Sequence, residues 1–223
     1  MAMVGWSPVV GSTELVWHRA NAEADLAAFL ASGVRWVECD ARVDPLGIVR
    51  VGHEPLDGPI ARMELIEWLG VIRRAGRSAK IDLKEGGPVI GAAIRAVAQV
   101  GLRDEDLWIN AAIEVPGGKA GFARLSTTHP GARLSCPLDT LASYLLVAPP
   151  AYAVVELLRS WGVNWLCFGC HAPGVRSLVP LMQERGWSVN IWDVANADDL
   201  GQALSLRPGA ITADLGSIDV EGR

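Results

Sequence analysis

Val34-Arg35-Trp36-Val37-Glu38-Cys39-Asp40 is a short run of β-formers that ends in two carboxylates, two positions apart. Side chains alternate along a strand, so Glu38 and Asp40 face the same way. Further on, Ala79-Lys80-Ile81-Asp82-Leu83-Lys84 repeats the device, with Asp82 and Lys84 sharing a face. Acids that point into a core are costly unless their charge is compensated. A pair about 4 Å apart repels by roughly 4 kcal/mol at an effective dielectric near 20. A third acid adds to this, and a divalent cation is the simplest compensation. His18, closing the first apolar run, and His53 add two groups that titrate near neutrality. The set reads as a metal-assisted hydrolytic site.

Working outward from these two runs, β-branched stretches alternate with helical patterns along the chain. The expected strands are 14–18, 34–40, 79–84, 106–110, 132–136, 163–168, 187–192 and 209–213. Helices are expected at 22–32, 62–75, 88–100, 119–128, 139–160 (broken near Pro149-Pro150), 174–185 and 197–204. Asn21 reads equally as the N-cap of the first helix or as a ligand contact, and Gly33 as the stop of that helix. Eight strands alternating with helices indicate an α/β fold, a (β/α)8 TIM barrel, as a single domain over residues 1–223. No Gly-x-Gly-x-x-Gly follows the first strand, which weakens a dinucleotide-binding alternative. In such barrels the active site lies at the C-terminal ends of the strands. His18, Glu38, Asp40, Asp82, Lys84 and Asn110 all fall there. Glu85-Gly86-Gly87, Pro116-Gly117-Gly118 and the longer 53–59 segment read as loops above the barrel, the last partly covering the site.

With 223 residues, half of them hydrophobic, the chain has ample material for one barrel core. A net charge of −5 argues against nucleic acid as the main partner, while a metal, Lys84 and an arginine leave a phosphate-bearing substrate open. No apolar run reaches the length of a membrane span, and no basic-then-apolar leader opens the chain, so the expected location is cytoplasmic. Cys39, Cys136, Cys167 and Cys170 lie in apolar runs and do not suggest a disulfide framework. Cys167-Phe168-Gly169-Cys170-His171 fits the c-type haem attachment pattern and offers half of a structural zinc set, but no second ligand pair follows, and two buried thiols at a strand end account for it better. His129 reads as a loop residue. Nine tryptophans against three phenylalanines is an unusual ratio with no assigned cause. Oligomeric state cannot be read from the sequence.

A histidine ending strand one, Glu-x-Asp ending strand two, a second histidine after it and an acid-x-Lys ending strand three together resemble the phospholipase-C-like phosphodiesterase superfamily. Its members include glycerophosphodiester phosphodiesterases and sphingomyelinase-D-type phospholipases, and the spacings here look closer to the latter. A longer match resembles the menorin family, which has the same barrel. Trp17-His18-Arg19-Ala20-Asn21 is similar to its His-x-x-Asn opening, and Glu64-Leu65-Ile66-Glu67-Trp68-Leu69 to its leucine–tryptophan helix. Trp108-Ile109-Asn110-Ala111 resembles its most distinctive phrase, and Asn190-Ile191-Trp192 a late strand. Arg19 instead matches the His-Arg of glycerophosphodiesterases, and no cysteine-bounded loop follows His53 as in the venom-type enzymes.

The resemblance implies a metal-dependent phosphodiesterase acting on a glycerophosphodiester or lysophospholipid-like small molecule. Glu38, Asp40 and Asp82 are the expected ligands of one hard divalent cation, foremost Mg2+, with Ca2+ and Mn2+ as alternatives. The competing reading pairs these acids with Arg35, Arg42, Lys80 or Lys84. His18 and His53 would exchange acid and base duties across the phosphorus. Lys84 and Arg19 would hold phosphate oxygens, Asn110 would orient substrate or metal water, and Trp192 would wall the leaving group. Asp214 is a weaker candidate. Attack by water and attack by a neighbouring substrate hydroxyl both fit. Two rivals are a menorin-like metal-binding regulatory or ligand-binding protein with little turnover, and a barrel glycosidase using two carboxylates.

Overall fold

The first barrel strand, β2 (Thr13–Trp17), follows a short antiparallel partner, β1 (Val9–Val10). The computed structural model describes residues 9–10, 12–55, 62–113, 115, 118–148 and 150–218. Residues 56–59 of the expected covering loop, Pro116-Gly117 and Pro149 lie outside them. From β2 the chain runs through α1 (Glu23–Ala31), β3 (Trp36–Val43), β4 (Val49–Val51), α2 (Leu65–Arg74) and β5 (Ser78–Leu83). The middle consists of α3 (Pro88–Val100), β6 (Leu107–Ala111), α4 (Lys119–Thr128) and β7 (Arg133–Pro137). Then come α5 (Ala142–Val147), α6 (Ala151–Ser160), β8 (Trp165–Gly169), α7 (Val175–Glu184), β9 (Ser188–Val194), α8 (Ala197–Ser205) and β10 (Ala210–Ala213).

Eight of these strands pair in parallel in the order β2-β10-β9-β8-β7-β6-β5-β3, and a β2–β3 pairing closes the ring. The result is the expected (β/α)8 barrel. Leu, Ile, Val and Phe side chains on the outward strand faces meet the buried stripes of the helices, as with Leu65, Trp68, Leu69 and Ile72 of α2. The capping box of α2, in which Glu64 and Glu67 bond each other's backbone amides, fixes where that helix starts.

Inside the barrel the side chains lie in layers, as the tilt and stagger of eight strands require. The floor is aromatic and cationic. Arg133 lies over Trp36, Trp108 and Trp165, 4.4, 5.3 and 4.8 Å from their ring centres, and pairs with Glu14. Three of the nine tryptophans are thereby accounted for as one plug. Above it is a buried polar layer. Lys80 donates to Thr212 (2.9 Å), Thr212 to Asn190 (2.9 Å) and Ser135 to Asn110 (2.6 Å). The acids form the top layer.

Some local expectations are corrected. Val49–Val51, outside every expected strand and helix, forms a hairpin with the extended end of β3. Asn21 does not cap α1, whose N-cap is Ala22 with no side-chain bond. Nor does Gly33 end the helix: Ser32 is its C-cap, with both its amide and its hydroxyl bonded to Phe29 O. His129 is not a free loop residue. It ends α4, is buried, and its Nδ1 lies 2.9 Å from Asp104 Oδ1.

Candidate active site

Register in the sheet sets the cluster. Asp40 of β3 lies opposite Asp82 of β5, and Asp82 is beside Asn110 of β6. Glu38, one inward position lower, lies opposite Lys80. One carboxylate oxygen each from Glu38, Asp40 and Asp82 can be chosen so that all lie within 4.8 Å of one another. Glu38 and Asp40 are only 3% and 1% exposed, so water does little to screen them. Lys84 bridges two of the three, at 2.9 Å from Asp40 Oδ1 and 2.6 Å from Asp82 Oδ2. Part of the salt-bridge reading is therefore present alongside the cluster.

The charges divide unevenly. Burial raises Asp40, but the charge and hydrogen bond of Lys84, the Asn21 amide and His53 outweigh it and hold its carboxyl below the usual range. Glu38 lacks such a partner. Burial first, then the charge of Asp40, push it up from 4.5 to about 7, which His18 and, less, Lys80 only partly offset. Lys84 is itself held above its ordinary value, because Asp82 and Asp40 outweigh its burial. Three carboxylates with one bridging ammonium leave a negative excess at Glu38, which is the chemistry of a hard-cation site.

The loop after β2 wraps the cluster. Arg19 adopts a left-handed conformation (φ 53°), which brings its backbone N–H to Glu38 Oε2 at 2.8 Å. Its side chain is exposed, bordering a second depression also lined by Asn21, His53, Glu54 and Arg62. Asn21 donates to Asp40 Oδ2 (2.6 Å) and accepts from the Asp40 amide (3.0 Å). The residue read as a helix cap is thus a brace for a cluster acid. Trp68 of α2 donates to Ala20 O at 3.0 Å and fastens this loop from behind.

The two histidines flank the cluster. His18 Nδ1 lies 2.6 Å from Asp214 Oδ1, a contact that holds the Asp214 carboxyl below its usual range. His53 follows the β3–β4 hairpin, and Arg42 donates to its carbonyl (2.6 Å) while pairing with Glu85. His53 Nδ1 lies 2.9 Å from Glu54 Oε1, which lowers the Glu54 carboxyl. The histidines do not share one cavity. His18, Glu38, Asp82, Lys84, Asn110 and Trp192 line a cavity of about 250 Å3, whereas His53 borders the neighbouring depression, with Asp40 between.

Asn110 donates to Asp82 Oδ1 (2.9 Å) and accepts from Ser135, so it is tied to the cluster from below. Trp192 donates to Asp139 Oδ2 (3.1 Å), and the other Asp139 oxygen accepts from Gly169 N–H. Asp139 and Lys80 are site residues that the motif reading passed over. Each had a signal: Asp139 follows the end of β7 directly, and Lys80 shares the inward parity of Asp82 and Lys84.

The acid cluster and the two carboxylate-held histidines thus lie at the C-terminal mouth, where (β/α)8 barrels carry their active sites. No protein-family model and no curated protein matches the chain. Solved structures do. A phosphodiesterase of Oleispira antarctica, in complex with the product sn-glycerol-3-phosphate, superposes with TM-score 0.73 at 16% identity, covering 90% of this chain and 92% of that one. Glycerophosphodiester phosphodiesterases of Parabacteroides distasonis (TM-score 0.71, 12% identity, 92% and 93% covered) and Agrobacterium tumefaciens (0.66, 15%, 91% and 95%) match likewise. The chain has the fold of the glycerophosphodiester phosphodiesterases over nearly its whole length. The narrower menorin resemblance finds no support in these matches. Among the described residues, no helix is long and apolar enough to cross a membrane.

Proposed function

We propose that the protein is a metal-dependent phosphodiesterase acting on a small glycerophosphodiester or lysophospholipid-like substrate. The observation that carries the reading is the carboxylate cluster between two histidines, each with its Nδ1 against a carboxylate. Glu38, Asp40 and Asp82 would hold one divalent cation, foremost Mg2+, since all their donors are hard oxygens and the charges of His18 and Lys80 leave the Glu38 carboxyl raised. When bound, such an ion supplies positive charge to the non-bridging phosphate oxygens.

The residues of the chain supply the rest. With Nδ1 facing Asp214 or Glu54, the proton of each imidazole is favoured at Nδ1, and Nε2 is left to accept or deliver a proton. His18 at Nε2 takes the proton of the attacking hydroxyl, and His53 gives one to the leaving alcohol, or the reverse. Lys84 binds a non-bridging oxygen by releasing part of its hold on Asp40 and Asp82. Trp192, held by Asp139, excludes water from one side of the cavity, and Arg19 reaches substrate from the second depression. Water and a substrate hydroxyl remain alternative nucleophiles.

The reading is tested with bis(p-nitrophenyl) phosphate, a glycerophosphodiester panel and aryl glycosides, each with Mg2+, Mn2+, Ca2+ or EDTA. Metal-dependent release of alcohol from phosphodiesters alone, lost in His18→Ala, supports it. Turnover of glycosides, or ion binding without any turnover, replaces it with one of the two rival readings.

A further inference from the structure

Among the described residues, one more group of metal-ligating side chains converges outside the acid cluster. Cys170 is the first residue beyond β8, His171 follows it, and Asp199 lies in the first turn of α8. Cys170 Sγ, His171 Nε2 and an Asp199 oxygen all lie within 4.8 Å of one another. The sequence motif had supplied the cysteine and the histidine, and the fold brings in a third donor of another type.

Each donor is positioned by the backbone around it. The Cys170 amide donates to Trp192 O at 2.9 Å, and its thiol donates to Asp193 O at 2.8 Å. Asp193 takes a left-handed conformation (φ 61°) where the β9–β10 register breaks, a conformation rare for a residue with a Cβ. Asp199 is only 6% exposed, and Asn196 fixes it twice, accepting from its amide (2.9 Å) and donating to its Oδ2 (2.7 Å). Its Oδ1 faces His171 Nε2 at 3.4 Å, beyond a normal hydrogen bond. A buried carboxylate oxygen thus faces an imidazole nitrogen across a gap, with a thiol alongside. The exposed His171 ring is free to adjust toward the other two.

The chemistry separates two uses of such a trio. A nucleophilic cysteine needs its thiol pKa lowered by nearby positive charge. Here the carboxylates of Asp199 and Asp193, not a cation, charge the surroundings of Cys170, so a cysteine nucleophile is the wrong reading. That same negative field attracts a cation. Donors around zinc bonded at its usual lengths stand about 3.5 Å apart, and His171 Nε2 and Asp199 Oδ1 are already at 3.4 Å.

We propose that Cys170 Sγ, His171 Nε2 and the Asp199 carboxylate form a second metal site, separate from the acid cluster, that takes a thiophilic divalent cation such as Zn2+. The mixed S, N, O set selects Zn2+ or Co2+ over Mg2+, with the thiol proton released to solvent and a fourth position left to water. The bound ion ties the end of β8 to α8, beside the Gly169 amide and the Trp192 carbonyl that frame the cavity wall. This site does not depend on the phosphodiesterase reading.

The test uses the full chain, reduced, with Mg2+ in excess to occupy the acid cluster, and Co2+ as the titrant. The expected result is a thiolate-to-cobalt charge-transfer band in the near ultraviolet that saturates at one equivalent. Cys170→Ser, which keeps the hydrogen bond to Asp193 O, abolishes the band, and Glu38→Gln leaves it intact. His171→Ala, an exposed change that spares the fold, weakens Co2+ binding at least about tenfold. No band in the wild type, a band that survives Cys170→Ser, or unchanged affinity in His171→Ala each overturns the proposal. Near-ultraviolet circular dichroism of the variants separates loss of the site from loss of the fold.

Discussion

Replacing Glu38 by glutamine is expected to stabilise the metal-free protein while removing its response to metal. Glu38 is 3% exposed and its pKa is raised from 4.5 to about 7, by burial and then by Asp40. The sign follows from linkage. Because the folded pKa lies above the unfolded one, the contribution is fully present below about pH 4.5 and is lost as pH rises through about 7. At about pH 8 the folded protein must therefore carry Glu38 ionised at a cost of about 3 kcal/mol, since each tenfold change in proton affinity is worth about 1.4 kcal/mol. Glutamine avoids that cost and can still accept the Arg19 amide bond. For a chain of this size, about 3 kcal/mol corresponds to roughly 6–12 °C in Tm. At about pH 5 the wild-type residue is protonated when folded, and the advantage shrinks below about 1 kcal/mol. Mg2+ closes the gap: at about a hundred times its Kd it stabilises the wild type by about 2.7 kcal/mol, which nearly cancels the advantage, while Glu38→Gln gains little. The assay is differential scanning calorimetry of both proteins at the two pH values, with EDTA or Mg2+. A metal-free Glu38→Gln protein that melts lower than wild type at the higher pH, or an advantage that does not change with pH, refutes the reasoning.

Other consequences follow from the same geometry. Arg133→Ala empties the cation from the tryptophan floor and leaves Glu14 unpaired, so Tm should fall by roughly 4–8 °C (about 2 kcal/mol) with kcat unchanged, checked by thermal melts beside steady-state kinetics. His18→Ala and His53→Ala should each lower kcat by about 10²–10⁴-fold, whereas Asp214→Asn, which only misorients His18, should lose about tenfold; single-turnover rates rank the three. Asp139→Ala frees the Trp192 indole and should raise KM several-fold more than it lowers kcat, read from full saturation curves.

The barrel was legible because each strand carries a strong β-former run and each helix a periodic apolar face. The eight expected strands match those found to within a few residues, including β3, which runs on past the expected end at Asp40 to Val43. The extension was not legible, because its partner is Val49–Val51, a run too short to register without the β3–β4 pairing. The acids were legible through strand parity alone. The work of Asn21 was not. A helix cap and a brace on Asp40 ask the same amide chemistry of the same position, and only the approach of β3 decides between them. The tryptophan floor was hidden for another reason. Trp36, Trp108, Trp165 and Arg133 come from four strands spread along the chain, and no local pattern announces that they stack in one layer. Lys80 was expected to pair with an acid inside the barrel mouth, and its bond to Thr212 of the last strand follows only once the ring closes.

The central claim is that the acid cluster and the two histidines cleave a phosphodiester. The most direct measurement is 31P NMR of a glycerophosphodiester incubated with protein stripped of metal and then given Mg2+. The account predicts conversion to a phosphomonoester or a cyclic phosphate only after Mg2+ is restored, abolished by His18→Ala and by Asp82→Asn. An unchanged diester resonance with the folded, Mg2+-loaded wild type, across glycerophosphodiester and lysophospholipid substrates, would contradict it.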